Sequence, residues 1–541
     1  MIHIYIRVQT RSSLVVRVLV PLHPGLDDGF MLYGGNSEAL GWALDAIARA
    51  VTFVGPAVYL SVAIINLAKN RAGCPIGNYE NEDESENVIK DVECYGKVYG
   101  LRPSSLLTTL STVVALISAF SLPFVGAVVD YTSHRKFIGF VTAVAQIMFT
   151  ASQIFVNERN WGIIMILLVF NAFIGWVHTL TAFAYLPELT EDPKLLVDWT
   201  ANFHILQYFA IILFLVCMLG ILNTIGFDGS ANLNDDILSA RVASTSTLVI
   251  TTPLFMYSWI WLMKKRDAFH TLPQGSSLAT IGFVKVFQTS KLLYRRHRAI
   301  MWFFVNVALV EASQQSIATI GLTYMTDTLQ MTPRESGFAI LMLFVFSAVG
   351  ACLGKISLLA SSSSSSASSP WSSLNLNLNP IRSNQLCQMF TAGNTALAAL
   401  IVYKPNQQLR AYIVAAGWGI GAGWKNVVER FTICQIIPQG QDAELMGFYL
   451  FASQVIGWTP TLIFTAMNEA GIDQRIGLSM LIVFFLGGMF ALWMMGSYDA
   501  VVQIANRREE DRSTNNGNDD NVSEDADGVG DGDSHECTSA R

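Results

Sequence analysis

Apolar residues run along this chain in long blocks, and most polar and charged residues are confined between them. A membrane-spanning helix needs about twenty predominantly apolar residues. Blocks of that length predict helices at 41–66, 104–129, 137–156, 161–186, 199–223 and 243–263. A polar stretch at 264–298 follows, then blocks at 299–322, 335–358, 386–403, 409–436, 445–467 and 474–496. The pattern predicts an all-α membrane protein of about twelve transmembrane helices in two six-helix halves. Its expected organisation is a tail at 1–40, a first half at 41–263 and a basic linker at 264–298. A second half at 299–496, with a Ser-rich loop at 359–385, and an acidic tail at 497–541 complete the chain.

Composition agrees with this class. Of 541 residues, 52% are hydrophobic and 14% charged, and the mean hydropathy of +0.41 lies outside the ordinary range of water-soluble domains. The net charge of −7 comes largely from the loop around Glu80 to Glu93 and the tail around Glu509 to Glu536, so it identifies no partner. The partners expected are the bilayer and a small solute, with no nucleic acid.

Short loops retained in the cytoplasm carry the excess of Lys and Arg. The linker has Lys264, Lys265, Arg266, Lys285, Lys291, Arg295, Arg296 and Arg298, whereas Arg159, Arg241, Arg334 and Arg475 stand singly in loops of the opposite set. Both termini are therefore expected in the cytoplasm. The loop between the first two spans strains this rule with Lys69, Arg71, Lys90, Lys97 and Arg102, which makes the register of the first span the least secure. Residues 1–25, with Arg7, Arg11 and Arg17, read as a cytoplasmic tail. The serine run Ser361 to Ser369, the repeat Leu374 to Asn379 and the tail after Arg507 are too polar to bury a core. The sequon at Asn521 lies in that tail, away from lumenal glycosylation.

Cysteine spacing offers no metal site, and no cofactor is expected. Cys217, Cys352 and Cys434 lie in apolar runs and read as packing residues, whereas Cys74 and Cys94 flank one non-cytoplasmic loop where a disulfide is chemically permitted. The glycines Gly417, Gly419, Gly421 and Gly423 lack the preceding strand and lysine of a phosphate-binding loop. Their spacing of four suits close helix packing.

Between the second and third predicted spans, Gly126 is followed by Asp130, His134, Arg135 and Lys136. This segment resembles the signature loop of the major facilitator superfamily, although Tyr131 and Ser133 replace a usual basic residue and a usual glycine. The resemblance implies that Gly126 permits close packing while Asp130, Arg135 and Lys136 form a gating charge clamp. The alternative is a solvated turn bounded by a charge pair. Gly350 to Lys355 echoes the motif faintly, without the aspartate. A second segment runs from Arg430 through Pro438, Gly440, Glu444, Gly447 and Tyr449 to Pro460. It resembles the vacuole effluxer family, the autophagy-related branch of that superfamily. The Leu-Pro-Glu turn at Pro187 and Glu188 resembles a turn after the family's fourth span, and Glu311 with Gln314 resembles its acid-x-x-Gln step, with Glu311 where aspartate is usual. The resemblance implies export of amino acids from a vacuole or lysosome to the cytoplasm, for which proton coupling would be natural.

Ionisable groups inside spans are costly and normally face a cavity or a partner. Glu311 and Gln314 share a helix face, Lys425 and Glu429 are spaced to pair, and Arg430, His178 and His204 complete a candidate path for substrate or coupling. A purely structural reading remains beside it, in which Lys425 and Glu429 neutralise each other and each histidine is a packed hydrogen-bonding residue. Asp45 reads either as a coupling carboxylate or as a helix cap. The sequence has no HExxH, no GxSxG and no paired intramembrane aspartates, so an enzyme is disfavoured. A carrier of a sugar, organic acid or peptide, or a scaffold or receptor that moves no solute, stays open.

Overall fold

The computed structural model describes residues 2–8, 14–20, 33, 36–74, 96–190, 193–225, 232–268, 277–362, 379–405, 407–436, 442–498 and 501. Apart from one antiparallel pair, β1 (Ile2–Val8) with β2 (Leu14–Val20), its regular elements are helical. That hairpin lies within the N-terminal segment 1–25.

Helices occupy each predicted block. The first rod is α1 (Ser37–Gly55), a π-helical stretch at Pro56–Leu60, and α2 (Ser61–Ala72). Then come α3 (Pro103–Tyr131), α4 (Arg135–Gln153), α5 (Trp161–Phe183), α6 (Pro193–Thr224) and α7 (Leu233–Tyr257). The linker holds α8 (Leu278–Arg296). Beyond it lie α9 (Arg298–Asp327), α10 (Pro333–Ser362), α11 (Pro380–Ile401), α12 (Gln408–Ile436), α13 (Asp442–Val455), α14 (Trp458–Glu469), α15 (Gln474–Ser479) and α16 (Leu481–Met495). Among the described residues, seven helical stretches are long and apolar enough to cross a membrane, namely Ser37–Ala72, Pro103–Tyr131, Trp161–Phe183, Asn202–Thr224, Pro333–Leu358, Gly447–Glu469 and Gln474–Met495.

Proline chemistry explains the irregular points. The ring of Pro56 crowds the carbonyl four residues back and donates no hydrogen bond, and the chain answers with the π-helical stretch. Pro460 has the same effect on Ile456, where the rod of α13 and α14 breaks. Pro103, Pro333 and Pro380 instead open their helices, where a missing N–H is harmless. The first rod starts at Ser37 and is capped by Asn36, whose side chain accepts from the amides of Glu38 and Ala39. Asp45 lies two turns further in, so the capping reading of Asp45 is wrong.

The glycines of α12 work as their spacing predicts, toward two neighbours at once. A Cβ on Gly419 or Gly423 would fall 2.1 Å from the Leu343 carbonyl oxygen or 1.9 Å from that of Ser347, both on α10. On Gly417 or Gly421 it would meet Asn394 or Thr391 of α11 at 2.3 or 2.2 Å. Gly350 of α10, read as an echo of the signature motif, closes on the Ile420 carbonyl in the same way. The packing expectation for cysteines fails, since Cys217, Cys352 and Cys434 are exposed and, among the described residues, the buried free thiol is Cys387. An apolar helix face turned toward lipid reads in sequence like one turned inward. Cys74 is disulfide-bonded, while Cys94 lies outside the described residues.

Candidate functional site

Helix α12 carries two buried charges one turn apart, Lys425 and Glu429. The side chain of Lys425 is 2% exposed and its ammonium pairs with Glu311 of α9, while the carboxylate of Glu429, one turn along α12, stands 3.5 Å away. The Tyr449 hydroxyl donates to the second oxygen of Glu429 at 2.7 Å. One buried cation thus holds two acids, and the pairing expected for Lys425 and Glu429 is joined by one to Glu311. Glu311 remains 17% exposed and Glu429 only 1%, so Glu311 is the acid a solute can reach. Gln314 lies half-buried one turn from Glu311.

The same helix meets the first half of the chain. Asn426 donates to the Tyr208 hydroxyl at 3.1 Å, and one turn on Arg430 contacts His204, whose other ring nitrogen faces Gln207 at 3.1 Å. Two residues four apart on α12 therefore oppose two residues four apart on α6.

In the first half, Asp45 is fully buried and its two oxygens have three partners. Trp259 donates to Oδ1 at 2.7 Å, His178 Nε2 lies 2.8 Å from the same oxygen, and Arg49 donates to Oδ2 at 2.7 Å. An ionised carboxylate only accepts, so His178 carries its proton on Nε2 and turns Nδ1 to the Thr142 hydroxyl at 2.7 Å. His178 and His204 accordingly belong to separate clusters, although the sequence placed them together as proton-sensitive candidates.

At the end of α3 the signature segment departs from the expected clamp. Arg135 is fully buried and pairs with Glu188 at 3.0 Å, and Lys136 donates to the Ile260 carbonyl at 3.2 Å. Asp130 instead faces Lys285 of α8 at 3.6 Å. The reason is local: Arg135 opens α4 and points inward to the turn at Leu186–Glu188, which leaves Asp130 to a cation from outside the motif. A Cβ placed on Gly126 would have only Leu180 within 4 Å, at 3.9 Å, so tight packing does not require a glycine at this position. Arg266 joins the inner group by pairing with Glu38 and standing 3.7 Å from Glu188. Burial lowers its basicity, and the two glutamates outweigh this and hold Arg266 above the ordinary guanidinium value. Of the family-like turns, Pro187 and Glu188 form one short helical turn, Glu444 and Gly447 lie in α13, and Pro438 falls outside the described residues.

The opposite end holds contacts that the sequence did not predict. Lys69 pairs with Asp327 at 2.9 Å and Lys97 with Glu469 at 3.2 Å, while the Arg102 amide donates to Glu469 at 2.7 Å. Below them Thr108 meets Thr465 at 2.7 Å, Thr112 donates to Thr461 at 2.8 Å, and Asn468 donates to Ser104 and Ser105 at 2.7 Å. This seam joins α3 to α14. Lys69 and Lys97, which strain the charge rule, are each paired with an acid at this end. The signal available in sequence was that excess of cations opposite two unassigned acids.

The family described as "Vacuole effluxer Atg22 like" matches residues 35–503. The chain belongs to that family. Among curated proteins none matches significantly. Solved structures similar to it include a POT family transporter in complex with 5-aminolevulinic acid, at 10% identity and a TM-score of 0.56 over 85% of this chain and 96% of that one. A variant of the nucleoside transporter NupG aligns at 11% identity and a TM-score of 0.54 over 85% of this chain and 100% of that one. The inward-open xylose transporter XylE from E. coli aligns at 13% and 0.50 over 86% and 96%. Identities this low speak to the fold alone, and the fold is that of major facilitator transporters. The protein is a multi-pass membrane protein of a family of transporters, not enzymes.

Proposed function

We propose that the protein is an alternating-access carrier of about twelve spans that exports amino acids from a vacuole or lysosome to the cytoplasm. The observation that carries the reading is Lys425, a buried cation between an accessible acid, Glu311, and an inaccessible one, Glu429. A free amino acid presents an ammonium and a carboxylate on one carbon. Its ammonium would take Lys425's place on Glu311 and its carboxylate would take the released Lys425 ammonium, so that both buried charges stay matched throughout binding. Arg430, in contact with the imidazole of His204, offers a second cation nearby. Gln314 would add a neutral contact on the face of Glu311.

In this reading the Asp130 end faces the cytoplasm, in keeping with the basic linker, and the seam of α3 and α14 closes the lumenal side. Asp45 with His178, and Glu311 itself, are the groups through which protons would couple to transport. The vacuolar location follows the family description. Proteoliposomes loaded with a labelled panel of neutral, basic and acidic amino acids test the reading. Efflux above that of empty liposomes, lost in Glu311→Gln, is expected. Efflux of nucleosides, sugars or peptides with none of amino acids would replace the substrate class while leaving the carrier.

A further inference from the structure

Helix α8 has a face that no described element covers. Its inner face lies against α3, α9 and α13. A Cβ on Gly282 would fall 2.0 Å from the Pro123 carbonyl oxygen, so the two backbones are in contact there. At 1.5 Å per residue, the 29-residue α3 is about 43 Å long, whereas a hydrocarbon core is about 30 Å thick. α3 is therefore longer than the core is thick, and Pro123 lies seven residues before Asp130, so α8 packs on the Asp130 end of α3. Outward, Phe283, Phe287 and Tyr294 are 45%, 70% and 68% exposed and fall on one edge at helical spacing. Lys291 and Arg295 are exposed on the adjoining edge of α8, and the exposed Arg298 opens α9 two residues beyond the end of α8. Aromatic rings beside a row of cations, on a helix packed on the end of a spanning helix, match the chemistry of an anionic lipid surface, where rings would enter the acyl boundary and cations would meet headgroup phosphates.

We propose that this face of α8 binds anionic phospholipid of the leaflet that adjoins the Asp130 end of α3. The same helix carries Lys285, which faces Asp130 at 3.6 Å, so lipid bound there holds one partner of the end clamp in place. The inference rests on the membrane fold and on no particular substrate.

The test is lipid binding by the purified full chain, independent of transport. Native mass spectrometry of detergent-solubilised protein titrated with phosphatidylserine or phosphatidylcholine is compared for the wild type, for K291Q/R295Q/R298Q, and for Lys404→Gln, an exposed cation elsewhere. The wild type and Lys404→Gln are expected to retain phosphatidylserine over phosphatidylcholine. Affinity falls about fivefold for each of these cations removed, and on the order of a hundredfold for all three. Equal retention of phosphatidylserine by the triple variant and the wild type would overturn the proposal. So would displacement of the lipid by inorganic phosphate alone, which would show a small-anion site. Phe287→Ser, which keeps every cation, is expected to weaken lipid retention, and no change there would likewise count against an interfacial face.

Discussion

Lys425 stands where a single substitution strands two acids. A buried ion pair broken from one side leaves an uncompensated charge, at a cost of about 3–5 kcal/mol. Lys425→Met should therefore abolish transport and lower thermal stability in detergent, and adding Glu311→Gln and Glu429→Gln should recover stability without recovering transport. Recovery of both would deny the pairing any part in solute handling. At the other end, Asp130→Lys alone should slow transport by roughly tenfold, while the swap Asp130→Lys with Lys285→Asp restores most of it, because an ion pair is indifferent to which helix supplies which sign. Initial rates in proteoliposomes decide this. The acids and bases of the site were legible in sequence because charge inside a span is expensive and rare. Their partners were only partly so. Lys425 and Glu429 are four residues apart on α12, but nothing local relates Lys425 to Glu311, or Asp130 to Lys285.

Between helices, the glycines of α12 set how closely α10 and α11 approach. Gly423→Leu would drive a side chain into the Ser347 carbonyl and should cost about 1–3 kcal/mol through overpacking. Gly393→Ala on α11, where nothing lies within 4 Å, should leave the melting temperature unchanged. Equal behaviour of the two variants would mean that α10 and α12 are not in backbone contact. The helices themselves were readable because lipid tolerates only backbone whose hydrogen bonds are satisfied internally, which demands long apolar blocks. Their interruptions were less so: Pro460 sits in a block that looks continuous, and α8 hides in a stretch dominated by Lys and Arg. The Phe283 and Phe287 spacing was the trace it left.

Across the whole molecule, the proposed carrier gains access from the side of Glu469 only when the seam of α3 and α14 parts. Replacing Thr112 and Thr461, whose hydroxyls lie 2.8 Å apart, with cysteines should allow a disulfide that stops transport under oxidant and releases it under dithiothreitol, with wild type treated alike as control. Continued transport by the oxidised, cross-linked protein would mean that this seam is not a gate. Movement of amino acids past Lys425 and Glu311 is tested most directly by counterflow, in which proteoliposomes preloaded with unlabelled amino acid are diluted into a trace of labelled amino acid. Transient accumulation of label is expected for the wild type and none for Glu311→Gln at equal reconstitution. No accumulation by the wild type across neutral, basic and acidic amino acids, or full accumulation by Glu311→Gln, would contradict that role.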